Sequence, residues 1–279
     1  MRATRGGGAV ALLVLAAALG PARAQQPRAG QAGRGDRTPA NQCVACHGAL
    51  GDTTGAGHGF AAWRGSPHAA AGVGCDACHG GDPQAREKTA AHHGIAPSTD
   101  PASRVFFVRM PDTCGRCHAS EAAYFRSSLH YARLRADGRG PNCVTCHGAM
   151  ATSILTPERV LGTCTACHVA GGVAPPEKAR EAAQVLALVR LENILYGVVA
   201  TEAAAQRGSR GAARARVMLD EADRHLTAAA EVWHSFRLDS ATARLDGARQ
   251  NLEAAWVALG HAAPLELRPG RSGGGGTGR

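Results

Sequence analysis

Large aromatic side chains are scarce in this sequence: Phe, Trp and Tyr make up 4% of its 279 residues, although 44% are hydrophobic. Aromatics supply much of the buried area of an ordinary core, so a core filled chiefly by ring side chains is excluded and something else must occupy the interior. Long apolar runs are missing as well. The stretch from Ala9 to Leu19 is too short for a bilayer-spanning helix, which needs about twenty apolar residues. The later stretch from Val185 to Ala205 is interrupted by Arg190, Glu192 and Glu202. No membrane span is expected in the mature chain. An unpaired cysteine is absent too, which bears on the chemistry below.

The N-terminus has the order of a secretory signal: Arg2 and Arg5, the apolar run, then Ala22-Arg23-Ala24 before Gln25. Residues 1–24 are read as a signal peptide cleaved near Ala24, which predicts an exported, periplasmic protein. Cleavage removes Arg2, Arg5 and Arg23 and lowers the formal charge from +9 to +6. A basic excess can mark a nucleic-acid partner, but a nearer anion makes that partner unnecessary here.

Ten cysteines in an exported chain ordinarily imply disulfides. All ten instead fall into five copies of one arrangement: Cys43 and Cys46 before His47, Cys75 and Cys78 before His79, Cys114 and Cys117 before His118, Cys143 and Cys146 before His147, and Cys164 and Cys167 before His168. On a helical turn, positions i, i+3 and i+4 share a face. Two thiols can thus form thioethers to the vinyl groups of one porphyrin while the histidine ligates its iron, the c-type haem attachment pattern. Zinc knuckles would have to pair, which five cannot do, and zinc requires no histidine after every second cysteine. Redox-active Cys-x-x-Cys pairs equally leave the five histidines unexplained. The reading is five covalently bound haems c, with the five motif histidines as proximal iron ligands.

Haem accounts for the other oddities. One macrocycle for about every 25 residues between Cys43 and His168 replaces the missing aromatic core. Five haems bring about ten propionate charges, for which the arginines are natural partners.

Residues 25–38, rich in Gly, Arg, Gln and Pro, read as a disordered lead-in, and residues 39–172 as a loop-rich pentahaem region with short helices such as Glu121 to Leu134. From Pro175 long Ala-rich helices follow. Leu188, Leu191, Leu195 and Val198 form one apolar stripe. A second helix is predicted from about Ala212 to Phe236, and a third after Asp239 or Ser240, with a heptad-like stripe of Leu238, Ala241, Leu245, Ala248, Leu252, Trp256 and Leu259. The expected fold class is therefore mainly α, a haem-ordered loop-rich region followed by a long-helix bundle or hairpin over 173–264, with a low-complexity tail over 265–279.

Each iron takes a sixth ligand or stays open, and that choice separates an electron carrier from a catalyst. Eight of thirteen histidines lie outside the motifs: His58, His68, His92, His93, His130, His225, His234 and His261. Distal candidates, five at most, are His58 in a Gly-rich loop, His68 and His130 upstream of motifs, one of His92 and His93, and one of His225 and His234 on the second long helix. Met110 and Met150 could ligate through sulfur, but with histidine in surplus they are read as packing residues.

Ser66-Pro67-His68 leading into Cys75-Asp76-Ala77-Cys78-His79-Gly80, and Ser128-Leu129-His130 leading into His147-Gly148, resemble segments of the multihaem cytochrome c superfamily that contains cytochrome c554, the ammonia-forming nitrite reductases and the hydroxylamine oxidoreductases. The resemblance extends over residues 40 to 260, and Trp233-His234 is similar to a helical-domain histidine segment of the enzymes. It implies that the upstream histidines, His68 and His130, are distal ligands. The nitrite reductases typically carry a catalytic haem with lysine in place of the motif histidine; here all five motifs end in histidine, and the only lysines are Lys88 and Lys178. No catalytic residue is carried over.

The expected function is electron transfer between redox protein partners, a membrane quinol dehydrogenase or a terminal reductase among the candidates, with oligomerisation open. The alternative is a reductase or oxidase of a small nitrogen or sulfur oxyanion with one open-site haem. A third is an interaction subunit, for which an apolar face left exposed on the long helices would speak.

Overall fold

The computed structural model describes residues 41–50, 59–172 and 174–265. The described residues all belong to one compact unit. The signal and lead-in segments, His58 and nearly all of the tail lie outside the described residues. Among those described every regular element is helical, so the mainly α expectation holds.

The first part is built from short pieces: α1 (Gln42–Gly48), α2 (Phe60–Arg64), α3 (Pro67–Ala70), α4 (Cys75–His79), α5 (Lys88–Ala91), α6 (Met110–Cys114), α7 (Ala119–Arg126), α8 (Leu129–Asp137), α9 (Cys143–His147) and α10 (Pro157–Cys164). Helices this short are marginal alone, and their ends are held individually. Asn41 Oδ1 accepts from the Cys43 and Val44 amides, Ser66 Oγ from Ala69, and Thr156 Oγ1 from Arg159. Asn142 and Thr145 form a reciprocal capping box on α9. The single helix expected from Glu121 to Leu134 is two. Ser128 is the reason: its hydroxyl caps α8 by accepting from Tyr131 N at 3.1 Å, which requires an extended backbone where a continuous helix would need a helical one.

Three long helices follow: α11 (Glu177–Ala205), α12 (Arg210–Trp233) and α13 (Leu238–Ala258). Ala212, Ala215, Ala222 and Ala229 on α12 and Ala241, Ala248 and Ala255 on α13 are fully buried, with Leu219, Leu226, Leu245 and Leu252 between them. The small residues let the backbones approach while the leucines fill the gaps between layers. The expected stripe on α13 is present with one change: Ala255 takes the interior place and Trp256 stacks on His261 at 3.8 Å instead.

On α11 the buried face differs from the expected one. Leu195 is buried, but Leu188 and Val198 are 41% and 40% exposed, and the core is formed by Ala182, Val185, Val189, Val199 and Ala203. Packing against Ala-rich neighbours selects the face whose small residues permit close approach, and leaves the bulkier leucine ridge outside. By length and composition α11 could cross a membrane; its inner face is the core of the bundle, where Glu192 accepts from Arg249 Nε at 3.0 Å and Nη2 at 2.7 Å. The upper core joins Leu155, just before α10, and Val160, within it, to Val185, Leu226, Trp233 and Leu245, with Cys146 and Cys164 packed at its edge. The bundle thus grips the last two cysteine motifs directly.

Candidate haem-binding sites

The five motifs share a local turn but reach it in two ways. Cys43, Cys75 and Cys143 lie at or near the start of α1, α4 and α9, so each of these helices contains a whole motif. Cys114 and Cys164 are the last residues of α6 and α10, and their motifs run on as a turn. That turn keeps helical spacing, because His118 N bonds Cys114 O and His168 N bonds Cys164 O, both at 2.9 Å. Gly80 and Gly148 follow His79 and His147 with φ of 86° and 81°, a left-handed exit from the motif that glycine adopts freely. All ten cysteines are free of disulfides.

The motifs are neighbours in chain order. Asn41, capping α1, donates from Nδ2 to Asp76 Oδ1 of the second motif at 2.7 Å. Arg116, inside the third motif, donates to Ala77 O of the second. The Cys114 and Cys143 thiols hydrogen bond, which drives the first up and the second down in pKa. Burial, reinforced by Cys164, pushes Cys146 up to about 11. The second and third motifs, the third and fourth, and the fourth and fifth therefore meet side to side, as the first does the second.

Histidines outside the motifs complete the geometry. His92 lies with its ring centre 6.0 Å from that of His47, His68 6.0 Å from His118, His130 6.0 Å from His168, and His234 6.3 Å from His147. Two imidazoles bound through nitrogen to opposite sides of one metal, at bonds of about 2.0–2.1 Å, have ring centres about 6 to 6.5 Å apart. The spacing lies toward the long end of ring–ring contacts and fits an intervening iron. Each partner comes from a different segment of the chain, so every such pair ties two segments together.

The partners of the ring nitrogens agree with this use. Nδ1 of His92, His147, His168 and His234 faces the carbonyl of Lys88, Ser153, Pro175 and Ala230 at 2.7, 3.1, 3.3 and 2.9 Å. A proton placed on Nδ1 is donated there and Nε2 keeps its lone pair for a metal. Burial is the leading cause that holds His68, His79, His130 and His234 below the usual imidazole pKa, which favours the neutral, ligating form. Exposed apolar side chains beside the motifs, Leu129 at 88%, Ile154 and Val169 among them, supply walls suited to the faces of a macrocycle.

Other candidates lie elsewhere. His93, exposed beside His92, faces no motif histidine at this spacing among the described residues. The His225 ring rests on Gly247, where a Cβ would come within 2.6 Å of it, and sits 3.7 Å from Glu221; it is an interhelical packing residue. Met110 is buried in α6, and Met150 packs on Gly59. His79 faces no second histidine at this spacing among the described residues, and His58 lies outside them. The carbonyls that orient the rings carry no sequence signal. Phe236, which packs on His130, was detectable only as one of the few aromatics, two positions after His234.

A sequence model of the family described as cytochrome c554 and c-prime matches residues 17–80, a segment that includes the first two motifs. Comparison with curated proteins and with solved structures returns no match. The family match, together with the repeated Cys-x-x-Cys-His turn, supports a c-type cytochrome that carries haem c and takes part in electron transfer.

Proposed function

We propose that the chain is an exported, periplasmic multihaem cytochrome that passes electrons between redox protein partners through five haems c. The observation that carries this reading is the placement of four motif histidines opposite a second histidine at 6.0 to 6.3 Å. Haem supplies one-electron redox chemistry, and the chain's residues decide what each iron can do with it. Cys43, Cys46, Cys75, Cys78, Cys114, Cys117, Cys143, Cys146, Cys164 and Cys167 attach the haems, and His47, His79, His118, His147 and His168 are the proximal ligands. His92, His68, His234 and His130 close the irons of His47, His118, His147 and His168 respectively. A closed iron binds no substrate and changes little on reduction, which suits a carrier.

Contact between successive motifs supports haem-to-haem transfer in chain order. Arg104, whose guanidinium lies against Gly80, and Arg116, in the third motif, are well placed for propionates. The outer face of α11, with Ile194 56% exposed beside Leu188 and Val198, supports docking of a protein partner there.

The test is a haem count with optical and EPR spectra of the oxidised protein and of His92→Ala, His68→Ala, His234→Ala and His130→Ala. Five haems are expected. Each substitution should convert one of them from low-spin to high-spin. Unchanged spectra in all four would overturn the ligand assignment. A native high-spin signal from one iron that shifts with nitrite, hydroxylamine or sulfite would replace the carrier with an open-site reductase or oxidase of a small oxyanion.

A further inference from the structure

The link between α12 and α13 touches the last two haem sites together. His234 faces His147, and two residues later the Phe236 ring stands edge-on to His130 with centres 4.1 Å apart and planes at 86°. Phe236 holds φ of 59°, a left-handed conformation uncommon for a bulky residue and therefore strained. Its amide donates to Trp233 O at 2.9 Å just past the end of the helix. The strained backbone is what turns the ring back over His130.

The two ligand pairs served by this link differ at one ring, since His168, like His147 and His234, has its Nδ1 on a backbone carbonyl and His130 does not. The His147 and His234 rings lie within 17° of parallel, and Nδ1 of both is bonded to a backbone carbonyl. The His130 and His168 rings are crossed at 80°, and the buried His130 Nδ1 has no hydrogen-bond partner. A ligating histidine that donates from Nδ1 is the more basic ligand and favours oxidised iron; one without an acceptor is a weaker donor and raises the potential. Crossed imidazole planes leave two iron d orbitals nearly equal in energy, which makes a low-spin ferric centre strongly anisotropic, whereas parallel planes separate those orbitals.

We propose that Phe236 is a positioning residue that fixes His130 across His168 and screens its Nδ1 from any acceptor, making the fifth haem the most oxidising of the two bundle-supported sites and the resting place of electrons. This rests on the ligand pairs proposed above. The fifth site is also the last of the motifs in chain order.

The test is EPR with a redox titration of the ferric holoprotein and of Phe236→Gly and Phe236→Tyr. Glycine relieves the left-handed strain while removing the ring, so the fold is retained. Wild type should show one highly anisotropic large-g low-spin signal, one haem in five, belonging to the higher-potential centre of the pair. F236G should shift that signal toward the rhombic type and lower that potential, and F236Y should keep both. Spectra and potentials of F236G that superimpose on wild type would overturn the proposal. His130→Ala separates the failures: loss of the large-g signal with one new high-spin haem leaves the ligand pair standing, whereas an all-low-spin H130A would remove the pair itself.

Discussion

The two regions of this chain solve the same problem with different materials. Residues 177–258 bury a layered Ala and Leu core between three long helices, in which Leu252, Ala248 and Ala241 are wholly enclosed. The region before it, from α1 to α10, buries few large apolar side chains, Leu134 and Val160 chief among them, and holds its short helices with individual caps. Burial of apolar area is the main force opposing chain entropy. The bundle therefore has the means to fold from its own side chains, whereas the cysteine-rich region has little apolar core of its own, and on the proposed function it would draw apolar surface and covalent ties from haem.

The sharpest way to break this comparison is to prevent haem attachment by replacing all ten cysteines with alanine. Circular dichroism and limited proteolysis should then report a protease-resistant fragment covering α11 to α13 with near-native helicity, and rapid loss of everything before α10. Survival of the whole chain as one resistant unit would show that the first region has a sufficient core of its own.

A smaller effect probes the other side. Leu252→Ala should cost the bundle about 2–5 kcal/mol, the range for a large-to-small change in a closed core. Haem spectra should be unaltered, since Leu252 belongs to the lower core cluster, away from Cys146 and Cys164. Spectral changes in step with the lost stability would mean that the two regions unfold as one.

Sequence and tertiary structure contributed to these regions unequally. The five Cys-x-x-Cys-His turns were legible because attachment is a local code: the chemistry lies within five residues and needs no distant partner. Helix existence was legible for similar reasons, and the α13 stripe was placed almost residue by residue. The break at Ser128 is not legible because a serine within an otherwise helical pattern is compatible with a continuous helix until its hydroxyl caps the next one. The inner face of α11 is ambiguous in sequence because two apolar stripes share Leu195, and only the Ala-rich surfaces of α12 and α13 choose between them.

The smallest effect concerns Glu192. Burial, the leading cause, holds its carboxyl above the usual carboxylate range even with Arg249 beside it. Between the ordinary pKa and the raised one, the folded state retains a proton that the unfolded chain has released, so this stabilisation is present at lower pH and lost as pH rises through that window. Glu192→Gln, neutral throughout, should remove that slope from the bundle's denaturation while leaving the haem region untouched. A slope of the opposite sign in the wild-type protein would show that the ion pair outweighs burial.

By itself the sequence determined where the five Cys-x-x-Cys-His turns lie, that the chain is helical, and which histidines were in surplus, because each of these follows from residue type and short spacing. Only the tertiary structure decided which surplus histidine faces which motif. His92 and His47, His68 and His118, His130 and His168, and His234 and His147 are far apart along the chain, and no periodicity links them. Their meeting is set by where the short helices are capped and where the bundle ends, and the crossed or parallel attitude of each pair by what packs against the rings.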